Sequence, residues 1–163
     1  MSNKSYDRIK NYTTSISVER TITEIEKMLA KFGATKIMKE YDLEGNPNSL
    51  IFSIITDFGE MPVKLPIKTD KVQAVFKTQV EEGLLEKKYG GGEWAQAQAR
   101  RVGWRVIKDW LDAQMTLIKI HQTEIQEIFL PYAYDGKTNT TLYEQMKERK
   151  FAGFIADSSI HKE

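Results

Sequence analysis

The sequence predicts an α+β fold: a three-stranded antiparallel sheet with flanking helices, and one long helix in the C-terminal half. Three observations support this prediction. Apolar residues recur at helical spacing in residues 20–32, 70–88 and 93–129. Short apolar segments separated by turn residues fill residues 34–67. No proline interrupts residues 93–129, so a single helix of roughly 36 residues, or about 54 Å, is expected there.

Length and composition are those of one globular domain. The chain has 163 residues, of which 40% are hydrophobic and 29% charged, a balance typical of a folded protein with a substantial core. We therefore predict a single domain over residues 1–163. It comprises a helix–meander–helix part over residues 18–88 and a part over residues 93–155 with the long helix and a short C-terminal helix.

The first predicted helix covers residues 20–32. Thr21 and Glu24 have the spacing of a capping box, and Gly33 lies where a helix C-terminus often has glycine. Four apolar residues at steps of three and four form one stripe: Ile22, Ile25, Leu29 and Phe32. Before this helix, residues 1–17 form a polar arm that we expect to be partly loose. The β-branched content of residues 12–18 is compatible with a short edge strand.

The meander is predicted from three segments with strand character, at residues 34–41, 50–55 and 61–67. Turn residues separate them. Pro62 and Pro66 favour an edge position for the third strand, because proline donates no hydrogen bond to a neighbouring strand. Short connections make an antiparallel arrangement the simplest one, with a helix covering one face.

A second helix is predicted to begin at Asp70 and to extend toward Lys88, where Gly90–Gly92 interrupts it. These glycines follow no strand and lack the lysine and hydroxyl residue of a phosphate-binding loop. A short helix capped by Thr140 or Thr141 is expected to end near Lys150.

The long helix is apolar on nearly all sides between Val102 and Ile120. A helix of this kind is normally buried, which favours a central core helix. In a chain of this length, one sheet face and two helices leave part of such a surface uncovered. One apolar stripe of the helix is therefore also a candidate interface for a partner or for a second copy of the chain.

No pattern indicates catalysis or a cofactor. The chain has no cysteine, which excludes disulfides and thiolate metal sites. His121 and Glu124 share a helix face, but this is only half of a carboxylate-bundle metal motif. We expect neither cofactor nor metal, and no enzymatic activity. An unrecognised enzyme with a site between the sheet and the long helix is the remaining alternative.

Membrane insertion is also not expected. No stretch reaches the roughly 18 uncharged apolar residues of a spanning helix. Residues 1–10 are polar and charged, unlike a signal peptide. The predicted location is cytoplasmic.

Charge is distributed unevenly along the long helix and the segment before it. Residues 84–108 contain six basic residues against two acids, whereas residues 109–129 contain four acids against Lys119. Basic residues with interleaved aromatics are typical of surfaces that follow a phosphate backbone and stack a base. The candidate nucleic-acid-binding residues are Lys87, Lys88, Trp94, Arg100, Arg101, Arg105 and Lys108. The alternative is that the arginine stems cover apolar surface and pair with carboxylates.

Two resemblances accompany this pattern. The helix–meander–helix order over residues 20–88 resembles the topology of double-stranded RNA-binding domains. At the start of the second helix that family carries three lysines in a Lys-Lys-x-Ala-Lys run, whereas this chain has two, in Lys68-Thr-Asp-Lys-Val72. The whole chain also resembles small uncharacterised proteins of bacterial phages and mobile elements. The segments that carry this resemblance are Val18–Leu29, Lys64–Pro66 and Arg101–Trp110.

These observations predict a non-enzymatic nucleic-acid-binding accessory protein of phage or mobile-element origin. Its partner would be DNA, RNA or a protein–nucleic acid complex. The alternatives are a protein-interaction module or inhibitor that docks on a host defence nucleoprotein complex, and a homodimer formed through the long helix.

Overall fold

A computed structural model describes residues 7–156 of the chain. The order of its elements is helix, three strands, two helices, a short helix, a two-stranded hairpin and a final helix. In chain order they are α1 (Val18–Lys31), β1 (Lys36–Tyr41), β2 (Pro47–Thr56), β3 (Gly59–Pro66), α2 (Thr69–Glu81), α3 (Glu93–Lys119), α4 (Ile125–Phe129), β4 (Tyr134–Asp135), β5 (Thr140–Thr141) and α5 (Leu142–Glu148). The predicted α+β class and the long helix are confirmed.

Helix α1 begins earlier than the sequence indicates. Its N-cap is Ser17, whose hydroxyl accepts a hydrogen bond from the N–H of Arg20. The predicted capping box at Thr21 is therefore wrong, and Thr21 is buried inside the helix. The apolar stripe is correct: Ile22, Ile25 and Leu29 are buried against the sheet and α3.

The sheet is an antiparallel meander with β2 in the centre. Phe52 of β2 lies opposite Ile37 of β1 and Val63 of β3, so these side chains share the covered face of the sheet. Strand β3, which contains Pro62 and Pro66, is at the edge, as predicted. Residues 12–18 form no strand, which corrects that expectation.

Helix α2 ends at Glu81 and does not continue to Lys88. Gly83 follows with a positive φ of 74°, which glycine adopts without a side-chain clash. The amides of Leu84 and Leu85 then donate to the carbonyl of Gln79, and Lys87–Gly90 forms a single 3₁₀ turn. The principal partner of α2 is α3.

Helix α3 has 27 residues, not about 36, and ends at Lys119. His121 adopts a left-handed conformation, and its amide donates to the carbonyl of Ile118. The amide of Gln122 donates to the carbonyl of Leu117. This pair of bonds is a Schellman motif, which terminates a helix. Residues 125–129 form the separate helix α4.

Two apolar clusters flank α3. The larger cluster contains the sheet, α1 and Trp104, Leu111 and Met115 of α3. The smaller contains Ala99 and Val102 of α3 together with α2 and the 3₁₀ turn. The middle of α3 is thus the centre of the core, in agreement with the first interpretation of its apolar surface.

Candidate nucleic-acid interface

The basic residues of α3 lie where this helix runs beside α1. The two helices are parallel: Ser17 and Val18 share a recess with Ala97 and Arg101, and near the other ends Met28 lies beside Met115. We call the solvent-facing border between them the α1–α3 seam. Its basic residues are Lys27, Lys31, Arg100, Arg101, Arg105, Lys108 and Lys119.

Arg105 is a largely buried cation of the seam. Its side chain is 13% exposed, and its guanidinium donates to Glu24 at 2.6 Å and to the hydroxyl of Thr21 at 3.4 Å. The hydrogen bond from Arg105 holds the pKa of the Glu24 carboxyl below its usual range. This arrangement matches the alternative interpretation of the arginine pattern, in which the guanidinium pairs with a carboxylate.

Lys108 and Arg101 also have partners within the chain. The ammonium of Lys108 forms an ion pair with Asp112 one turn later on α3. The Nε of Arg101 donates to the Oε1 of Gln98 at 2.8 Å. Their charges remain at the surface, since both residues are partly exposed.

Arg100 lies beside Arg101 and lines a recess of about 200 Å³ at the start of α1. The turn between β1 and β2 forms the opposite wall, through Asn46 and Pro47. No carboxylate lies within ion-pair distance of Arg100 in the part of the chain that the structure describes.

The remaining predicted residues form a separate group at the start of α3. The ammonium of Lys88 lies 4.6 Å from the centre of the Trp94 ring, a cation–π contact. Tyr89 packs edge-on against the same ring at 4.9 Å. Trp94 is 41% exposed and precedes Arg101 by two helical turns, so both lie on the same side of α3. Lys87 is exposed.

The sequence interpretation did not include Lys27, Lys31 and Lys119. These lysines line a groove of about 480 Å³ between the C-terminal halves of α1 and α3, together with Asp112. The spacing of Lys27 and Lys31 places them on one face of α1. That spacing was visible in the sequence, but the parallel alignment with α3 was not.

Comparison with family models, curated proteins and solved structures finds no match. The function of this chain is therefore inferred from its own geometry. Within residues 7–156, no helix is both long and apolar enough to cross a bilayer. The same residues contain no group of three or more histidine, aspartate or glutamate side chains placed to hold a metal ion.

Charge balance distinguishes the seam from the rest of α3. Its seven basic side chains face four carboxylates, those of Glu19, Glu24, Asp42 and Asp112. From Arg100 to Lys119 it extends for roughly 28 Å at about 1.5 Å per residue, which is close to the length of eight base pairs. An excess of positive charge over this length suits an extended polyanion.

Proposed function

We propose that this protein is a non-enzymatic accessory protein that binds nucleic acid along the α1–α3 seam. The observation that carries the proposal is that Lys27 and Lys31 of α1 line one groove with Lys119 of α3. The lysines of α1 thus extend the row of basic residues that α3 already carries. The resemblance to small proteins of phages and mobile elements is consistent with such a role.

The seam residues differ in how they would contribute. Lys27, Lys31 and Lys119 are exposed and have no ion pair within the described residues, so their ammonium groups are available to phosphates. Arg105 would attract phosphates mainly through its positive charge at a distance, because its guanidinium already donates a hydrogen bond to Glu24. Trp94 would supply a stacking surface at one end.

Salt-dependent binding is the first test. We expect labelled single- and double-stranded DNA and RNA to be bound in an anisotropy titration, with log affinity falling linearly as log salt rises. The steepness of that line reports the number of phosphates contacted. The four probes also reveal which nucleic acid is preferred. No binding to any of them at low salt would contradict the proposed function.

The site is tested with the double variant Lys27→Gln/Lys31→Gln. Loss of two phosphate contacts should reduce the salt slope by about 2 and weaken binding to all sequences alike. The matched control is Lys71→Gln/Lys77→Gln, which removes two exposed lysines from α2. If the control weakens binding as much as the test variant, the binding surface is not the seam.

Charge reversal of Arg105 is a poor test of the same surface. Arg105→Glu would place a carboxylate against Glu24 in a largely buried position, and unpaired buried charges destabilise a fold strongly. Loss of binding in that variant would report unfolding as readily as loss of a phosphate contact.

We propose protein interaction as a second function, because an apolar patch near α5 is left exposed by residues 7–156. Leu130, Tyr143 and Phe154 border a shallow groove with an apolar lining, and Phe154 is 79% exposed. Contiguous exposed apolar surface of this kind often marks a contact site. Ile155, beside it in the chain, is also exposed.

Self-association through this patch predicts a concentration-dependent mass in light scattering. Phe154→Ser/Ile155→Ser should return the protein to the monomer mass. The control is Leu43→Ser, because Leu43 is an even more exposed apolar residue in the turn between β1 and β2. A monomer mass for the unmodified protein at all concentrations would exclude this mode of self-association.

A further inference from the structure

An apolar groove lies on the side of α3 opposite the seam. It encloses about 540 Å³, within the range typical of small-molecule sites in proteins. Strand β3 and its connection to α2, the first turn of α2, and the middle of α3 form its walls. Its apolar lining comes mainly from Leu65, Ile67, Val72, Val106, Trp110 and Tyr132.

Close packing of the backbone shapes one wall of this groove. A Cβ atom on Gly103 would lie 3.0 Å from the Cγ2 of Ile67 and 3.7 Å from that of Val72. Glycine at this position therefore lets α3 approach the connection between β3 and α2. This contact fixes the wall from which Val106 lines the groove.

The N-terminal arm forms the opposite rim. Ile9 and Lys10 line the groove, and Gln79 holds the arm by accepting from the amide of Ile9 at 3.0 Å and donating to the carbonyl of Asp7 at 2.8 Å. Lys10 forms an ion pair with Asp109 at 3.3 Å. The rim is thus a fixed part of the fold.

The charge of the lining is one-sided. Lys10 and Lys68 are its only ionised side chains, and no carboxylate is among the residues that border it. Lys68 is exposed and has no ion pair within residues 7–156. An apolar floor with an available ammonium group at its edge is complementary to a molecule with an apolar body and an anionic end.

Two aromatic residues with polar groups line the groove. Trp110 and Tyr132 pack against each other with ring centres 5.7 Å apart. Their indole N–H and phenol hydroxyl make no hydrogen bond within residues 7–156, in contrast to the indole N–H of Trp104, which donates to the carbonyl of Pro47.

We propose that this groove binds a small amphipathic anion, such as a single apolar chain that ends in a carboxylate. The apolar part would lie along Val106 and Leu65, and the carboxylate would lie at the rim near Lys68. This site is independent of the proposed nucleic-acid surface, because the two use opposite faces of α3.

Decanoate below its micelle concentration is the probe, titrated into the full chain and followed by calorimetry and tryptophan emission. We expect saturable binding of one molecule and a shift in emission from Trp110. Decanol should bind more weakly, and acetate should not bind. Absence of saturable decanoate binding would overturn the proposal. Binding to anionic lipid vesicles without binding to decanoate would also overturn it.

Two substitutions locate the anion. Lys68→Gln should weaken decanoate binding by about five-fold, the size expected of a partly exposed charged contact, and should leave decanol unchanged. Lys71→Gln, on the first turn of α2 but outside the groove, should alter neither. Equal losses in both variants would show that bulk charge and not the groove attracts the probe, which would overturn the assignment.

A third substitution tests the apolar floor. Val106→Glu places a carboxylate within the groove and should abolish binding of both decanoate and decanol. Circular dichroism verifies that this variant is folded. Undiminished decanoate binding by a folded Val106→Glu protein would overturn the proposal. If the variant does not fold, the difference between Lys68→Gln and Lys71→Gln decides the outcome.

Discussion

Individual side chains of the seam have structural as well as electrostatic roles. Gln98 is 3% exposed and uses its amide twice, donating to the carbonyls of Tyr12 and Thr14 at 2.8 and 2.9 Å. Its carbonyl oxygen accepts from Arg101. One buried glutamine thus attaches the arm before α1 to α3 and orients a seam arginine. The described part of the arm, residues 7–17, is tied down and not loose as the sequence suggested; residues 1–6 lie outside the described range.

Gln98→Met tests this attachment. Methionine keeps the length of the side chain but leaves the two carbonyls without their donor, which should cost about 1–3 kcal/mol. Urea unfolding measures the change in the free energy of unfolding. Gln96→Met on the exposed side of α3 is the control and should change stability little. Equal effects of the two substitutions would mean that the hydrogen bonds from Gln98 to the arm contribute nothing to stability.

The pair of Glu24 and Arg105 predicts a pH dependence of stability. Because Arg105 lowers the pKa of Glu24 in the folded protein, protonation disrupts a bond that the unfolded chain lacks. The resulting stabilisation is complete above the ordinary glutamate pKa of about 4.3 and is lost as the pH falls through the lower value of the folded state.

Glu24→Gln should therefore destabilise the protein at pH 7 by about 1 kcal/mol. The difference in unfolding free energy between the variant and the unmodified chain should shrink as the pH falls below about 4.3. Urea titrations at several pH values measure this difference. Glu81→Gln on the exposed face of α2 should show neither effect. A difference that grows toward acid pH would be inconsistent with the assigned pair.

At the residue scale, the sequence predicted how the basic residues are spaced on α3 but not which residues they contact. Arg101, Arg105 and Lys108 share one face of α3, as their spacing predicts. Whether they meet solvent, a carboxylate or a phosphate depends on α1, whose Glu24 is 81 positions away from Arg105 in the chain. No local pattern encodes that contact, because it arises from how the two helices pack on the sheet.

The sequence predicted which helices and strands form more accurately than it predicted the residues at which they end. The sheet, its strand order and the edge position of β3 followed from alternation, turns and prolines. The end of α3 was missed because glycine and proline, the usual termination signals, are absent between Ile120 and Ile128. Here the left-handed position of the Schellman motif is His121, with φ of 58°.

His121→Gly should stabilise the protein by about 0.5–1 kcal/mol, since glycine adopts this conformation without the steric cost of a Cβ atom. Urea unfolding measures the gain. Gln122→Gly, one residue later, is the control and should destabilise, because it adds backbone freedom to the unfolded chain without removing strain. A loss of stability in His121→Gly would imply that residues 120–124 are helical in solution.

The whole molecule has two apolar clusters joined by one helix. Phe76 belongs to the cluster between α2 and α3, whereas Phe52 and Trp104 belong to the cluster between α1, α3 and the sheet. Since α3 contributes buried residues to both clusters, its two apolar surfaces are both covered only when both clusters form. If the chain is a single domain, as predicted, the two clusters should therefore unfold together in one cooperative transition.

Phe76→Ala tests that cooperativity at a distance from the sheet. We expect a loss of about 3–5 kcal/mol and one unfolding transition. In a Trp94→Phe background, tryptophan emission reports only Trp104 and Trp110, which lie in or against the larger cluster. Phe76→Ala should lower the unfolding midpoint measured by tryptophan emission as far as the midpoint measured by circular dichroism. Phe52→Ala should likewise lower both midpoints equally.

A different result would show that the two clusters unfold independently. In that case Phe76→Ala leaves the midpoint measured by tryptophan emission unchanged, while the circular dichroism signal changes in two steps. The chain would then have two units that share a helix, and α2 would be the part free to move without loss of the seam.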